Sequence, residues 1–374
     1  MKEVLIVSGI FPPDIGGPAS FIPLLATELT KRKFSVNVVT LADDLNSLCS
    51  YESFKVYRIS RKLSYIKRFL TTVKTIIKHA KTADLIFSCG LDLEAVLSAK
   101  LSGKKCIVKI VGDIAWERAT GNSRFAGSIE EFNKRDLNFK NNIDKLYRQV
   151  FIALADKIIT PSEYLRSVVY MWNKRKNVSV IYNCVKANDY SGAEKSLVNG
   201  IFKIITVARL VQHKGVQRII EAVSRLEFPY ELHVVGDGPL SGSLKKLTID
   251  LNANVIFHGL MPKNNVVEWL QRCDCFVLNS SYEGFPHAVL EAMQNKIAVV
   301  ASAVGGTPEA VKNNETGLLF KYNNVDEIIE KITLCRNDHC QREKLIKKAF
   351  ESVKKFTDID AMICEYVNVF NNVK

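Results

Sequence analysis

The sequence has 374 residues, which suffices for two domains of ordinary size, each with its own hydrophobic core. Hydrophobic residues make up 47% and charged residues 24% of the chain, a balance that excludes intrinsic disorder, collagen-like repeats and a coiled coil. The formal net charge of +13 indicates an anionic partner and leaves open whether it is nucleic acid, an acidic membrane surface or a phosphorylated substrate.

Short apolar runs alternate with amphipathic stretches through the first half of the chain. Seven runs predict β-strands: Val4–Val7, Val36–Thr40, Val56–Ile59, Leu85–Ser88, Cys106–Ile110, Lys157–Thr160 and Val178–Tyr182. Helical spacing of apolar residues predicts helices over Phe21–Lys33 and Lys62–Lys81. Strands that alternate with helices are typical of a parallel, doubly wound sheet.

The second half repeats this alternation. Six runs predict strands: Lys203–Ala208, Leu232–Val235, Asn254–Phe257, Cys275–Leu278, Ala298–Ala301 and Gly317–Phe320. The predicted helices are Gly215–Leu226, Leu240–Leu251, Pro262–Arg272, Pro286–Asn295 and Val325–Cys335. The stretch Lys186–Gly200 lacks periodicity and contains turn residues, so it is the predicted linker between two domains.

Glycine-rich turns follow three of the predicted strands. Gly16 and Gly17 come after the first strand and precede a helix, Gly236 and Gly238 follow another strand, and Gly305 follows a third. None has the spacing of a dinucleotide-binding fingerprint or of a P-loop. Paired glycines allow a close approach of the backbone to a ligand, although a lone Gly-x-Gly is often only a tight turn.

Two cations, Arg209 and Lys214, lie five residues apart in the turn that follows the strand Lys203–Ala208. In open α/β sheets, ligands bind beyond the carboxyl ends of the strands. An Arg fork and a Lys point charge at this place can neutralise a diphosphate. The alternative is a pair of surface cations at an ordinary turn.

Two carboxylates, Glu283 and Glu291, lie eight residues apart after a later strand. Pro286 is expected at the first position of a helix, where its missing N–H costs nothing. The N–H groups of Gly284 and Phe285 would then face a ligand at the positive end of that helix. Carboxylates accept hydrogen bonds from sugar hydroxyls, so the pattern predicts a site for a sugar joined to a phosphate. A capping Glu and a solvated helical Glu form the alternative interpretation.

In this order, the motifs resemble those of glycosyltransferase family 4, whose members have the GT-B fold. They are Gly16-Gly17, Arg209…Lys214-Gly215, Gly236-x-Gly238-Pro239, Glu283 with Glu291, and Gly305-Gly306-x-x-Glu309. The resemblance covers essentially the whole chain. It implies an α/β protein with two facing Rossmann-like, doubly wound domains and a cleft between them. It also implies a retaining transferase that moves a sugar from a nucleotide diphosphate sugar to an acceptor hydroxyl.

The resemblance also assigns domains. Residues 1–186 would bind the acceptor, and residues 187–354 would bind the nucleotide sugar. The terminal segment 355–374 would form a helix that packs back on the first domain. The acceptor implied for this family is a lipid-linked sugar or a polysaccharide, as in the synthesis of lipopolysaccharide, O-antigen, capsule or exopolysaccharide.

Roles carry over to the charged motif residues. Arg209 and Lys214 would hold the diphosphate and stabilise the leaving group. Glu283 would contact the hydroxyls of the donor sugar, and Glu291 would bind the ribose. Asp113, which follows the strand Cys106–Ile110, is expected to act on the acceptor side as a hydroxyl partner. A helix N-cap is the alternative for Asp113.

The remaining contacts with the donor are expected from glycines and from His, Phe and Pro residues. They are Gly16, Gly17, Gly236, Gly238, His258, Gly259, Gly284, Phe285 and Pro286. The six histidines show no paired ligand spacing, so no metal site and no cofactor are expected beside the nucleotide sugar as co-substrate.

The positive charge is concentrated in the first half. Residues 1–186 contain 30 Lys and Arg against 17 Asp and Glu, so the whole excess of +13 lies there. The amphipathic helix predicted within residues 62–81 is rich in lysine, and Lys140, Lys145 and Arg148 follow later. Docking of that helix on its own sheet is one interpretation, and contact of its cations with anionic lipid is another. Nucleic acid becomes the least favoured partner, because no recognised nucleic-acid-binding module is present.

Two further function classes stay open beside the transferase: another nucleotide-sugar enzyme on the same fold, such as an epimerase, and a non-catalytic anion-binding protein. The nine cysteines, with Cys273 and Cys275 predicted as buried thiols, and the lack of a signal peptide indicate a cytoplasmic protein. A peripheral position at the inner face of the cytoplasmic membrane is compatible with this expectation. No uncharged apolar run reaches the roughly 18 residues that a membrane span requires.

Overall fold

The computed structural model describes residues 2–14, 16–45, 51, 53–122, 124–134, 138–174, 176–186 and 200–373. The chain forms two compact units, of which one contains Met1–Ile181 with Asp360–Lys374 and the other Tyr182–Ile359. The predicted boundary lies at residue 186, five residues beyond the end of the first part of unit 1. Residues 187–199 of the predicted linker lie outside the described residues.

Unit 1 is built on a seven-stranded parallel sheet with the order β3-β2-β1-β4-β5-β6-β7. Its strands are β1 Glu3–Ser8, β2 Ser35–Ala42, β3 Lys55–Ser60, β4 Leu85–Cys89, β5 Lys105–Lys109, β6 Lys157–Thr160 and β7 Val178–Val180. The central β4 is buried along its whole length, as expected for a strand covered on both faces.

Eight helices accompany this sheet among the described residues. They are α1 Gly17–Lys31, α2 Tyr65–Ala80, α3 Asp92–Ser102, α4 Ile114–Gly121, α5 Ile129–Lys134, α6 Phe139–Leu154, α7 Glu163–Trp172 and α15 Ile359–Asn372. Helix α3 packs against both α2 and α6, so these three form one layer. Helix α15 contacts β5 through Tyr366, whose hydroxyl accepts a 2.8 Å hydrogen bond from the buried Lys109.

Unit 2 contains a six-stranded parallel sheet with the order β10-β9-β8-β11-β12-β13. Its strands are β8 Phe202–Val207, β9 Tyr230–Val235, β10 Val255–Gly259, β11 Cys275–Leu278, β12 Ala298–Ser302 and β13 Leu318–Phe320. From β8 the chain adds β9 and β10 on one side, and it then returns to place β11 on the other side. The boundary between β8 and β11 is therefore the topological switch point, where ligands bind in such sheets.

Helices cover both faces of this second sheet. They are α8 Val216–Val223, α9 Ser241–Asp250, α10 Lys263–Arg272, α11 His287–Gln294, α12 Thr307–Ala310, α13 Val325–Asn337 and α14 His339–Val353. Alternate residues of β8 point to opposite faces, so Ile204 and Ile205 belong to two separate hydrophobic clusters. The first contains residues of α8, α13 and α14, and the second contains residues of α11.

All thirteen predicted strands are present, with ends shifted by up to two residues, and the thiols of Cys273 and Cys275 are buried as predicted. The predicted start of α11 was wrong by one residue, because Pro286 is the N-cap and the helix begins at His287. Helices α3 to α7, α12 and α14 were not located from the sequence. No helix among the described residues is long and apolar enough to cross a membrane.

Candidate active site

An ion pair joins the two loops at the switch point of unit 2. Lys214, in the loop after β8, places its Nζ 2.5 Å from Oε1 of Glu283, in the loop after β11. Both side chains are mostly buried, with 20% and 13% of their surfaces exposed. The Oγ of Ser280 donates a second hydrogen bond of 2.6 Å to the same carboxylate oxygen. The structure thus brings together a predicted cation and a predicted carboxylate that are 69 residues apart in the chain.

Backbone and amide contacts hold these two loops in place. The N–H of Ser281 donates to the carbonyl oxygen of His213 over 2.7 Å, and Nδ2 of the buried Asn279 donates to the carbonyl oxygen of Gly215 over 2.9 Å. Gly215 has φ of +56°, a left-handed conformation that suits glycine, and a Cβ there would overlap Asn279. The position of Lys214 is therefore fixed by its own turn and by the neighbouring strand.

The Gly305-Gly306 turn supports Glu283 from the next strand along. The N–H of Gly306 donates to the carbonyl oxygen of Glu283 over 2.8 Å. Gly305 has φ of +56°, and a Cβ at this residue would collide with that same carbonyl oxygen. This turn therefore holds the backbone from which the Glu283 carboxylate extends.

We expect Gly305→Ala to lower the free energy of unfolding by about 3 kcal/mol, because the new Cβ adds left-handed strain and overlaps Glu283. The matched control is Gly242→Ala in α9, where the space around a Cβ is empty. That control should raise stability by roughly 0.5 to 1 kcal/mol, since alanine is the better helix former. Urea unfolding of both variants measures the difference, and equal midpoints would contradict the proposed support.

Gly236 and Gly238 pack against the Arg209 loop. The N–H of Leu210 donates to the carbonyl oxygen of Asp237 over 3.0 Å. A Cβ at Gly236 would collide with the carbonyl of Ala208, and one at Gly238 would collide with the backbone of Leu210. The structure therefore explains both glycines by the packing of adjacent loops, while their predicted contact with the donor stays a prediction.

Arg209 is exposed and forms no ion pair with another residue in the described part of the chain. It lies close enough to His213 to affect its titration. Lys214 is committed to Glu283, but an ammonium group has three donors and can bind a second anion. The pair Arg209 and Lys214 thus offers one unpaired and one partly engaged cation at the carboxyl end of β8.

Burial, together with the charges of Lys214 and Arg209 and against the opposing charge of Glu283, lowers the pKa of the His213 imidazole to about 4. The ring is neutral near pH 7 as a result. His213 therefore adds no positive charge to the site under physiological conditions, and Arg209 and Lys214 are its cations.

This lowered pKa makes stability depend on pH. Between pH 6.5 and pH 4 the unfolded chain binds a proton at residue 213 that the folded protein excludes, so the free energy of unfolding falls as the pH decreases through this window. We expect a contribution of roughly 2 kcal/mol, reduced from the full shift because part of the ring is solvated. His213→Gln should flatten this part of the stability profile, whereas His339→Gln, at an exposed ring, should not. Identical profiles for both variants would refute the expectation.

At the start of α11, where the sequence predicted contacts with a ligand, the Phe285 side chain packs inside the protein instead. Phe285 is buried, and its ring packs against Tyr182 and Phe356 at centroid distances of 5.2 and 5.1 Å. Its side chain has a structural role, and a contact of the Gly284 and Phe285 amides with a donor stays a prediction.

Glu291 lies in the second turn of α11, and its Oε1 is bound by Lys263 of α10 over 2.9 Å. Glu291 is therefore not the freely solvated helical Glu of the alternative interpretation.

His258 and Gly259 end β10 next to the Gly236 turn, because the N–H of Gly236 donates to the carbonyl oxygen of Gly259 over 2.8 Å. The Nε2 of His258 lies 3.0 Å from Nδ1 of His233, and both rings pack against Trp269. Burial lowers the pKa of His258. The loops after β9 and β10 thus meet, and the aromatic cluster of His233, His258 and Trp269 lies beside them.

In unit 1, Gly16 is the N-cap of α1 and Gly17 is its first residue, so α1 begins four residues before the predicted helix Phe21–Lys33. The preceding loop is held by Asp14, whose carboxylate accepts hydrogen bonds from both terminal nitrogens of Arg61. Hydrogen bonding to Arg61 lowers the pKa of Asp14. No described atom lies near a Cβ placed at Gly17, so packing among the described residues does not require this glycine. Its predicted contact with the donor phosphate stays a prediction.

Asp113 has a different place from the one expected on the acceptor side. It is fully buried and caps α4, where its Oδ1 accepts hydrogen bonds from the N–H groups of Ala115 and Trp116. Its Oδ2 lies 2.5 Å from the buried Arg148 and accepts a further hydrogen bond from Asn133. These partners occupy the carboxylate, so the capping alternative is correct. Arg148, counted among the cations that could meet lipid, is likewise buried.

Three polar residues of the site were not assigned roles from the sequence. Ser280 and Asn279 follow β11 directly, and a polar run after a buried strand was the signal that could have indicated them. Lys263 carries no such signal, because its partner Glu291 is 28 residues away. Within the described residues, no group of three or more His, Cys, Asp or Glu side chains could hold a metal ion.

Comparison with protein families decides the assignment. The family model described as Glycosyltransferase Family 4 matches residues 15–189, and the model described as Glycosyl transferases group 1 matches residues 193–352. The chain belongs to glycosyltransferase family 4. Together the two matches span both units, so the family resemblance of the motifs is confirmed.

Two curated proteins from Campylobacter jejuni show how the similarity is distributed along the chain. One is N,N'-diacetylbacillosaminyl-diphospho-undecaprenol alpha-1,3-N-acetylgalactosaminyltransferase, 34% identical over 170 residues, which are 46% of this chain and 44% of that protein. The chain therefore spans less than half the length of this relative in the match. The other is N-acetylgalactosamine-N,N'-diacetylbacillosaminyl-diphospho-undecaprenol 4-alpha-N-acetylgalactosaminyltransferase, 24% identical, with 94% of this chain and 96% of that protein covered.

A solved structure confirms the fold. The Anabaena protein HepE, crystallised in complex with UDP-glucose, superposes with a TM-score of 0.80 and is 18% identical; the match covers 99% of this chain and 100% of that chain. Identity at this level shows the fold alone. The two parallel-sheet units of this family 4 protein are those of the GT-B fold.

Proposed function

We propose that the protein transfers a hexose-type sugar from a UDP- or GDP-sugar to a hydroxyl of a lipid-linked or polysaccharide acceptor. The proposal includes retention of the anomeric configuration and a role in the synthesis of a cell-surface glycan. The observation that carries it is the cluster at the switch point of unit 2, where Lys214 binds Glu283 over 2.5 Å and Arg209 is exposed. Cations and a carboxylate at one strand edge suit a ligand that combines a diphosphate with sugar hydroxyls.

Each charged residue has a distinct proposed task. Arg209 and Lys214 bind the diphosphate, and their positive charge stabilises the negative charge that develops on it as the bond to the sugar breaks. Glu283, oriented by Ser280, accepts a hydrogen bond from a sugar hydroxyl. Glu291 binds the ribose hydroxyls, which requires that they replace or join Lys263 at its carboxylate. We propose that this cationic arrangement works without a metal ion or a further cofactor.

Names of similar proteins support the substrate classes. Both Campylobacter relatives are named for transfer to a sugar on diphospho-undecaprenol, and the Anabaena structure contains UDP-glucose. We infer that the acceptor of this protein is of the same lipid-linked class and that unit 1 binds it. A cytoplasmic protein that contacts the inner face of the membrane would meet such an acceptor.

A donor screen tests this function. Thermal stabilisation and donor hydrolysis should be measured with UDP-sugars and GDP-sugars, in the presence and absence of EDTA, with uridine and inorganic phosphate as controls. We expect one nucleotide diphosphate series to stabilise the protein, with little effect of EDTA. Conversion of a donor into its epimer would support the epimerase alternative instead. A lack of response to every nucleotide would refute both enzymatic functions and favour a non-catalytic anion-binding protein.

A further inference from the structure

Helix α6 exposes a row of apolar side chains. Phe139, Ile143, Leu146 and Val150 are 80%, 49%, 58% and 37% exposed. Their spacing of four, three and four residues places them on one side of the helix. Single exposed apolar residues are common on protein surfaces, but a continuous row along a helix marks an interaction site.

Helix α2 adds to this surface from the same layer. Its first turns expose Tyr65, Ile66 and Leu70 by 62%, 72% and 50%, while Ile76 further along is fully buried. Docking on the sheet therefore accounts for only part of the apolar surface of this helix. Helix α3 lies between α2 and α6 and contacts both.

Helix α3 joins the two helices in one layer, and Tyr65 in the first turn of α2 lies close enough to Tyr147 in the middle of α6 to affect its titration. The pKa of Tyr147 in α6 is raised by burial, by Glu94 and Asp92 of α3, and also by Tyr65 of α2. We call the exposed apolar residues of α2 and α6, with the lysines beside them, the α2/α6 face.

The two helices that carry the α2/α6 face have a net positive charge. Helix α2 has no acidic residue, and Lys67 and Lys74 are exposed and form no ion pair with another described residue. Lys140 of α6 is exposed in the same way. The one acidic residue of α6, Asp144, is neutralised by two arginines, with Arg118 at 3.2 Å and Arg124 at 3.0 Å.

The direction of the chain places the first turns of α2 and α6 toward the carboxyl ends of the strands of unit 1. Helix α2 leads from β3 back to the start of β4, and α6 ends two residues before β6 begins, so both helices run opposite to the parallel strands. Their first turns, which carry Tyr65, Ile66 and Phe139, therefore lie toward the carboxyl edge of the sheet. The Gly16-Gly17 turn follows β1 at this same edge.

We propose that the α2/α6 face docks on an anionic lipid bilayer, with its apolar side chains in the interface and its lysines on the headgroups. Apolar contact and attraction of lysines to acidic lipid together are what reversible interfacial binding requires. A symmetric dimer through this face would place lysines opposite lysines, because a two-fold interface pairs each patch with itself. The positive charge therefore favours lipid over a second copy of the chain. The orientation rests on the proposed function, since it directs the carboxyl edge of unit 1 to a lipid-linked acceptor.

Vesicle flotation of the full-length protein tests the charge requirement. Vesicles of phosphatidylcholine alone are compared with vesicles that also contain phosphatidylglycerol. The wild-type protein should float with the anionic vesicles and much less with the neutral ones. Lys67→Glu with Lys140→Glu should weaken binding by roughly thirtyfold or more, from about fivefold for each lysine removed. Lys347→Glu with Lys348→Glu, at exposed lysines of α14, is the matched control and should change binding less than threefold.

A second pair of variants tests the apolar contact. Phe139→Ser with Ile143→Ser should weaken binding at least tenfold. Ile249→Ser with Leu260→Ser, two exposed apolar residues of unit 2, is the control and should leave binding unchanged. Because all four residues are exposed, far-ultraviolet circular dichroism and thermal midpoints should match those of the wild type.

The outcomes separate this proposal from the proposed function. Equal recovery on neutral and anionic vesicles, or loss of binding in a control pair alone, would overturn the docking face. A dimer in light scattering that dissociates in Phe139→Ser/Ile143→Ser, without any vesicle binding, would assign the face to a second copy instead. Stabilisation by a nucleotide is measured on the same samples and does not depend on lipid. If the wild-type protein binds a nucleotide but no vesicles, only the present inference is refuted. If it binds anionic vesicles but no nucleotide, only the proposed function is refuted.

Discussion

Lys214→Ala is expected to lower kcat of sugar transfer by about 10² to 10³, with a change in donor KM of less than tenfold. The ammonium group faces the carboxylate of Glu283 at the switch point, and in the proposed reaction it also faces the departing diphosphate. Negative charge on that diphosphate increases as the sugar leaves, so a fixed cation stabilises the transition state more than the bound donor. Steady-state kinetics with the donor identified in the nucleotide screen measures both constants.

Two further variants show whether this result is specific to Lys214. Arg218→Ala removes an exposed cation one turn further on, where it is paired with Glu221, and should change kcat less than twofold. Glu291→Ala should instead raise the dissociation constant of the donor and leave kcat less affected, since ribose contacts are made equally in the ground state and the transition state. If Lys214→Ala raises KM tenfold or more and leaves kcat unchanged, the residue contributes to ground-state binding alone, and its assignment to the leaving group is wrong.

Lys214→Ala also leaves the mostly buried carboxylate of Glu283 without its cation. The double variant Lys214→Ala/Glu283→Gln removes that uncompensated charge. If it regains thermal stability without regaining turnover, loss of the cation, and not displacement of the loop, explains the lower kcat. Recovery of turnover in the double variant would contradict the catalytic role.

Strands were predictable because those of a parallel sheet are buried on both faces and appear as continuous apolar runs. Helix α3 shows why some helices were not. It packs between α2 and α6, so apolar residues occur around much of its circumference and the contrast between two faces is weak. Its neighbour α2 has the opposite pattern, with a strong apolar side that the sequence located.

The site was predictable to the extent that its residues lie at strand ends. Arg209 and Lys214 lie in the loop after β8, and Glu283 lies in the loop after β11. The sheet order makes β8 and β11 neighbours, so these two loops lie side by side. The order itself was not deducible from the sequence, because β8 and β11 pair residues that are 71 positions apart, such as Ile204 and Cys275, with two strands between them in the chain. The partners Ser280 and Lys263 depend on that adjacency or on helix packing and were missed for this reason.

Asp113 illustrates a limit of a different kind. A carboxylate after a strand can cap a helix or contact a ligand, and the local sequence is the same in both cases. Arg148, which decides between them, lies 35 residues away on α6. In the sequence it also resembles the exposed lysines near it, although its guanidinium is buried against Trp172 with 4.2 Å to the ring centroid.

Asp113→Ala is expected to lower the free energy of unfolding by about 4 to 6 kcal/mol. Removal of one partner of a buried ion pair costs about 3 to 5 kcal/mol, and loss of the cap of α4 adds about 1 kcal/mol. The large effect arises because Arg148 keeps its charge in a place where 3% of its side chain is exposed. Urea unfolding measures the loss, and Asp144→Ala, whose partly exposed carboxylate contacts Arg118 and Arg124, is the control with an expected loss near 1 kcal/mol.

The double variant Asp113→Asn/Arg148→Met separates the structural role of Asp113 from a role in the reaction. It removes both buried charges, and Asn can still cap α4. Replacement of a buried ion pair by groups of similar volume is often close to neutral, so this variant should recover most of the stability that Asp113→Ala loses. Because the carboxylate is occupied by the helix N-terminus, Asn133 and Arg148, the double variant should also retain sugar transfer within about threefold of the wild type. A stable double variant with a kcat reduced a hundredfold or more would restore Asp113 to the acceptor side, because stability could then no longer explain the loss.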